Sequence, residues 1–274
     1  MQPQLFRACF CFCAGLLLLW LAGCKPAYVP NRQHVPLLNK QGEFSLNLNP
    51  RNLQLAYSPV PHLGLMANGF YRAAKGRMPD YTDNQFEDER FRTFLSLAEG
   101  AAGFYYPLSA DSAFVFDLYA GFGAGEVNVN IVEEDVHQTT GQRHYTYRRF
   151  TARQERAFAQ PAIGYRTNDL AVVLSARVSS VRFANRGYQN LGFNAAYYYG
   201  LHTMERRHVL LEPALTVRGG SRNLKAEIQF SFINLLTPEK PLEKVTYVHS
   251  RPAINFSLHV ALGNKARNKV PVLR

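Results

Sequence analysis

The side chains able to do chemistry are few and scattered. His137, His144, His202, His208 and His249 could serve as general bases, and His249 stands beside the nucleophile candidate Ser250. A serine and a histidine adjacent in sequence need not meet in space, because a triad is defined by geometry. No Gly-x-Ser-x-Gly, His-Glu-x-x-His or phosphate-loop motif supports such a site. The acidic runs from Asp83 to Glu89 and at Glu133-Glu134-Asp135, with His137, offer carboxylates to a divalent cation. Their spacing matches no Ca²⁺ loop, and solvated surface accounts for them. The expectation is no catalytic residue, no metal and no cofactor; a lipid-modifying enzyme is the remaining enzymatic alternative.

The cysteines carry a clearer signal. Met1 to Arg7 is a short polar start with one charge, and Ala8 to Ala22 is apolar. That run falls short of the roughly 20 residues a membrane helix needs, and it ends in small residues, the form of an export signal. Leu21-Ala22-Gly23-Cys24 resembles the lipobox of bacterial lipoproteins. The resemblance implies cleavage between Gly23 and Cys24, a diacylglyceryl thioether on Cys24 and acylation of the freed amine. Each buried methylene contributes about 0.8 kcal/mol, so two or three chains anchor firmly where one would not. An ordinary secretory signal cut elsewhere is the alternative. Cys9, Cys11 and Cys13 alternate with Phe10 and Phe12 inside the apolar run and leave with it, so the mature chain has no pair for a disulfide.

About 250 of the 274 residues remain after cleavage, enough for one large barrel or two small domains. Losing Arg7 takes the basic count from 31 to 30 against 20 acids, a net charge of +10. On an exported chain that surplus points to anionic lipid, lipopolysaccharide phosphates or a polyanion rather than nucleic acid; a solvated basic surface is the bland alternative. Residues 24–40 contain Pro26, Pro30 and Pro36 without periodicity, which predicts an extended tether. Lys25, and the lack of an acid before Glu43, imply the outer membrane, with the lipid in its periplasmic leaflet. Residues 264–274 form a basic tail.

Any site must be positioned by what lies between, at 41–263, and there the pattern is alternation of period two. Ten strands are expected, over 42–48, 52–58, 62–72, 91–106, 113–128, 150–166, 169–183, 206–219, 223–235 and 251–262. Short links (58–61, 107–112, 167–168, 219–222) alternate with long ones (73–90, 129–149, 184–205, 236–250). That alternation predicts an all-β, up-and-down antiparallel barrel of eight to ten strands, with short turns toward the periplasm and long loops outward. The count falls to eight if the first hairpin, tightly linked at 49–51, lies outside the wall.

Leu224, Ala226, Ile228 and Phe230 alternate with Lys225, Glu227 and Gln229, and other strands do likewise, so one face is apolar and the other charged. A membrane barrel would enclose the charges. Glu99, Asp117, Glu212 and Glu227 would then pair with Arg177, Arg218 and Lys225 in a closed ladder, filling the interior without an open pore. Tyr105-Tyr106 and Tyr197 to Tyr199 suit interfacial girdles. Arg143, His144, Arg148 and Arg149 form a basic patch expected in an outer loop, where lipopolysaccharide or an unidentified protein could bind.

With its lipobox, proline-rich tether, Gly42-Glu43-Phe44 opening and Glu-Pro-Ala-Leu-Thr-Val-Arg strand at Glu212 to Arg218, the chain resembles small outer-membrane β-barrel lipoproteins of the Bacteroidota. The resemblance implies an embedded barrel with a structural or adhesive role. A second reading, a lipid-anchored periplasmic barrel holding an apolar ligand as lipocalins do, requires the opposite polarity, with grease inside.

Overall fold

In the computed structural model, residues 31–78, 89–109, 111–136, 142–189, 207–237 and 253–263 are described, and no helix occurs among them. The strands are β1 (Phe44–Asn49), β2 (Asn52–Tyr57), β3 (Leu63–Met78), β4 (Glu89–Pro107), β5 (Phe114–Val136), β6 (Arg143–Arg166), β7 (Leu170–Gln189), β8 (Arg207–Gly220), β9 (Leu224–Ser231), β10 (Asn234–Leu235) and β11 (Ala253–Leu262). Consecutive strands pair antiparallel from β1 to β9, β9 pairs with β11, and β11 returns to β1 with Phe44 opposite Leu262. The sheet is a closed up-and-down barrel of ten strands, and closure leaves no edge.

The additional short strand β10 continues β9. Ser231 faces Ala214 and Asn234 faces Leu211, one unbroken register along β8. Phe232 still donates its N–H to the Pro213 carbonyl at 3.0 Å, but Pro213 has no N–H to return. The missing donor divides one strand into two.

The first hairpin belongs to the wall, so eight strands are excluded: β1 joins β2 to β11. The outer ends of the middle strands reach further than the alternation suggested. β5 continues to Val136 and β6 begins at Arg143, so most of the expected loop 129–149 is paired sheet. The basic patch is therefore part of a strand. Arg143, His144, Arg148 and Arg149 lie in register opposite Val136, Asp135, Ile131 and Asn130.

A second difference concerns the tether. Residues 31–38 are all buried inside the barrel. The proline-rich composition does give an extended chain, but its Asn, Arg, Gln and His side chains match a polar lumen better than water. The barrel unit thus begins at Asn31 or before, and a tether can occupy no more than residues 24–30. The basic tail, 264–274, lies outside the described residues.

Candidate functional site

Side chains alternate strictly across the wall, and the two faces have opposite chemistry to those of a soluble protein. Among the described residues the buried set holds more polar and charged side chains than apolar ones. All seven expected interior charges are there: Glu99, Asp117, Arg177, Glu212, Arg218, Lys225 and Glu227.

They do not form one ladder. Arg156 is the hub, with Nη1 at 3.2 Å from Glu99, Nη2 on Glu212 and a bond to Ser179 at 2.7 Å. Arg177 lies 3.7 Å from Glu99, donates to Gln160 at 2.8 Å and sits 4.6 Å from the centre of the Phe158 ring. Arg218 and Arg32 share Glu227, with Arg218 Nε at 2.5 Å. Asp117 accepts the Leu37 N–H at 3.1 Å, and Lys225 donates to the Thr167 carbonyl at 2.9 Å. Glu43 pairs with Arg166 at 3.0 Å. Charges taken from water are tolerable only with such partners.

Arg156 and Arg32 are missing from the sequence expectation. The first was legible, since Arg156 shares the parity of Phe158 and Gln160 on β6, opposite to Arg153 and Glu155. Arg32 was hidden because the tether carries no period.

The segment from Asn31 to Leu38 is gripped by its main chain. Gln54 donates to the Arg32 carbonyl at 2.8 Å, Gln229 to that of Gln33 at 2.9 Å, Gln160 to that of His34 at 2.7 Å and Arg218 to that of Val35 at 2.5 Å. Arg166 holds the Leu37 carbonyl, and Gln229 accepts the Gln33 N–H at 3.0 Å. A buried strand without sheet neighbours needs such donors, since an unpaired carbonyl in the interior would be costly. The side chains add contacts: Asn31 to Glu99 at 2.6 Å, Arg32 to Asn47 at 3.3 Å, Ser175 to Gln33 at 2.7 Å.

The segment also has a direction. Leu37 meets Asp117 near the start of β5 and Arg166 at the end of β6, both beside short turns, whereas Asn31 meets Asn52 at the far end of β2. The chain descends the lumen toward the short turns, reverses at 39–43 and climbs again as β1. Apolar clusters close both ends. Val35, Leu37 and Leu38 pack with Met66, Tyr105, Val115, Tyr119 and Val173 below, while Leu95, Val127, Phe150, Phe183, Leu210 and Ile233 fill the lumen above.

Outside, an uncharged belt runs round all ten strands. It includes Leu46 and Leu48, Leu53 and Leu55, Leu63 and Leu65, Ala102 and Phe104, Phe116 and Leu118, and Ala159 and Ile163. It continues through Leu174 and Val178, Leu215 and Val217, Ile228 and Phe230, and Phe256 and Leu258. Tyr57, Tyr106, Phe114 and Tyr165 are exposed at its short-turn edge, where Phe114 and Tyr165 have ring centres 4.9 Å apart. Tyr106 thus faces outward, whereas Tyr105, the other half of that pair, points inward and bonds Ser58 at 2.8 Å. Tyr197 to Tyr199 lie outside the described residues.

Above the belt, toward the long links, the outer wall is cationic. Arg51, Lys75, Arg92, Arg149, Arg153, Arg182 and Arg207 are exposed there, against half-buried Glu126 and Glu155. Arg153 and Glu155 pair at 3.2 Å. Register sets Lys75 directly opposite Arg92 and Arg182 opposite Arg207. Like charges directly opposite are unfavourable, and Arg182 is flanked on its other side by Glu155 of β6, its cross-strand neighbour there. Of the expected basic patch, Arg149 belongs to this collar, whereas half-buried Arg148 shares the inward parity of Phe150 and Ala152.

Of the histidines considered as bases, His208 lies on β8, half-buried, and His144 on β6; His137, His202 and His249 with Ser250 lie outside the described residues. No cluster of three His, Cys, Asp or Glu suited to a metal occurs among the described residues. A groove of about 550 Å³ indents the wall beside the β1–β2 tip, lined by Leu48, Arg51, Leu53, Tyr71 and Ala98 among others. A scan against protein-family models finds no match, and a search of curated proteins finds none either.

Proposed function

We propose that this chain is an outer-membrane lipoprotein whose barrel is itself embedded, with a structural or binding role and no catalytic one. The observation that carries the reading is the inverted polarity: ion pairs and amides inside, an unbroken uncharged belt outside. In lipid such a closed wall leaves no backbone group unpaired. In water the same belt would expose far more contiguous apolar surface than a soluble monomer carries. The lipocalin-like alternative needs an apolar cavity, and the lumen is occupied by polar side chains and by the chain's own residues 31–38.

Charges on the β6 face support the depth of embedding. Arg153 and Glu155 stand just above Ala157, and from Ala157 to Tyr165 the outward positions are uncharged. Nine residues agree with the roughly 9 to 11 that a tilted strand needs to cross. The arginine collar above would meet phosphates of the surrounding lipid, lipopolysaccharide included, and the resemblance to Bacteroidota barrel lipoproteins fits this role. Lipid on Cys24 is then an auxiliary anchor.

The test is a Cys24→Ala protein. Its membranes should retain the barrel through carbonate or urea washing, and the unheated protein should run faster on gels than the boiled one. A variant that is monodisperse in plain buffer would sink the embedded reading. Independently, mass spectrometry of the wild-type N-terminal peptide should find acylated Cys24.

A further inference from the structure

Resting on the lipidated, embedded reading above, we infer that the acyl chains of Cys24 enter the leaflet on the long-link side of the barrel, not the periplasmic leaflet that Lys25 and the absence of an early acid imply. The start of β1 at the short-turn end, beside the end of β11, would by itself agree with the periplasmic side. Residues 31–38 reverse it. Arg32 lies beside Asn47 and His34 beside Ser45, so this segment runs antiparallel to β1 and delivers the preceding chain to the opposite end.

From Asn31 the way back down is closed. Arg177, Gln160, Gln229, Tyr105 and Tyr119, buried to 1 % exposure or less, pack the lumen around and below the segment. The way up is blocked over most of the circumference by the upper apolar cluster, whose buried members come from β4 to β8 and from Ile233, just before β10. Neither β1, β2 nor β11 contributes to that cluster. There the wall is also lowest: Asn52 faces Phe70, and β3 continues eight residues further to Met78. Asn31 bonds Asn52 at this rim.

Only seven residues, Cys24 to Pro30, separate the thioether from Asn31. Fully extended they reach at most about 25 Å. Reaching the lower leaflet would require passing through the occupied lumen or across the membrane. The anchor and the long links therefore share one side.

The experiment adds one cysteine at a time to the otherwise wild-type lipoprotein, whose own Cys24 thiol is blocked by lipid. Ala27→Cys reports the anchor, Thr139→Cys a long link and Asn168→Cys a short turn. Intact cells are treated with a membrane-impermeant maleimide, and labelling is expressed as a fraction of that in denatured protein. The expected result is that Ala27→Cys follows Thr139→Cys, whichever side that is, and differs several-fold from Asn168→Cys. Ala27→Cys following Asn168→Cys would overturn the inference and leave the embedded barrel intact. Equal labelling of all three would overturn both, since no membrane would separate the two ends.

Discussion

Arg218 of β8 donates to the main-chain carbonyl of Val35 at 2.5 Å, a bond between residues 183 positions apart in sequence. The same guanidinium holds Glu227 at 2.5 Å. Arginine reaches them with two nitrogens of one rigid planar fork, Nε and Nη2, whereas a lysine's donors all sit on one nitrogen and cannot reproduce that spacing. Arg218→Lys should therefore destabilise the folded barrel by about 1.5–3 kcal/mol, the worth of a charged hydrogen bond. A urea titration read by the gel shift of unheated samples measures it.

If residues 31–38 fill the lumen, removing them should open it. The intact protein is expected to show no large steady conductance in planar bilayers, and a variant lacking Asn31 to Leu38 should show ohmic current. A silent but correctly folded deletion variant would mean that side chains collapse into the vacated space.

Two glycines on β4 separate inward from outward demands. A Cβ on Gly103 would meet the Leu118 carbonyl and the Tyr119 backbone and ring, whereas one on Gly100 meets nothing within 4 Å. Gly103→Val should cost about 1–3 kcal/mol or more by overpacking, and Gly100→Val should leave stability and yield near wild type. Refolding yield into detergent compares them.

The belt can be probed on β7. Leu174, 60 % exposed, lies amid uncharged neighbours on β7. Leu174→Arg should cost roughly 2–4 kcal/mol if its level is mid-bilayer, measured by urea-dependent folding into liposomes. A loss close to zero would indicate that this face meets water.

The collar makes a prediction with a sign. Arg207→Gln removes a cation directly opposite Arg182, so in neutral detergent it should raise stability by about 0.2–1 kcal/mol. In micelles containing anionic lipid the wild type should gain more than the variant, and the difference should shrink or reverse. Thermal unfolding in the two detergents reads both.

The wall was legible from sequence because period-two alternation is a local signal, and every wall strand encodes its own two faces. Strand ends were underestimated where Asn130, Glu133 and Glu134 made the top of β5 look like loop, although they are ladder positions above the belt. The interior charges were legible one by one from parity, but their partners depend on the stagger of neighbouring strands. That stagger puts Arg156 between Glu99 and Glu212, residues 113 positions apart. The lumen segment was least legible. An extended chain held by Gln54, Gln160 and Gln229 has no period of its own, and its recognition is written in the side chains of other strands.

The pairing of β1 with β11 sets the order in which the molecule can be made. The first and last strands form the seam, so the ring cannot shut until Ala253 to Leu262 have been synthesised and delivered. Asn31 to Leu38 precede β1 directly, and once the seam is zipped they have no lateral entrance. Laying the segment against an open sheet and folding the last strand over it is the direct route, since the alternative is to thread the chain end-on through the rim. The contacts that fill the lumen are among the most distant in sequence, which makes the final step slow by the rule that relates topology to rate. A molecule halted before closure would present β1 and β9 as two raw edges joined by a loose end, the form in which a stalled barrel would be most exposed to proteolysis.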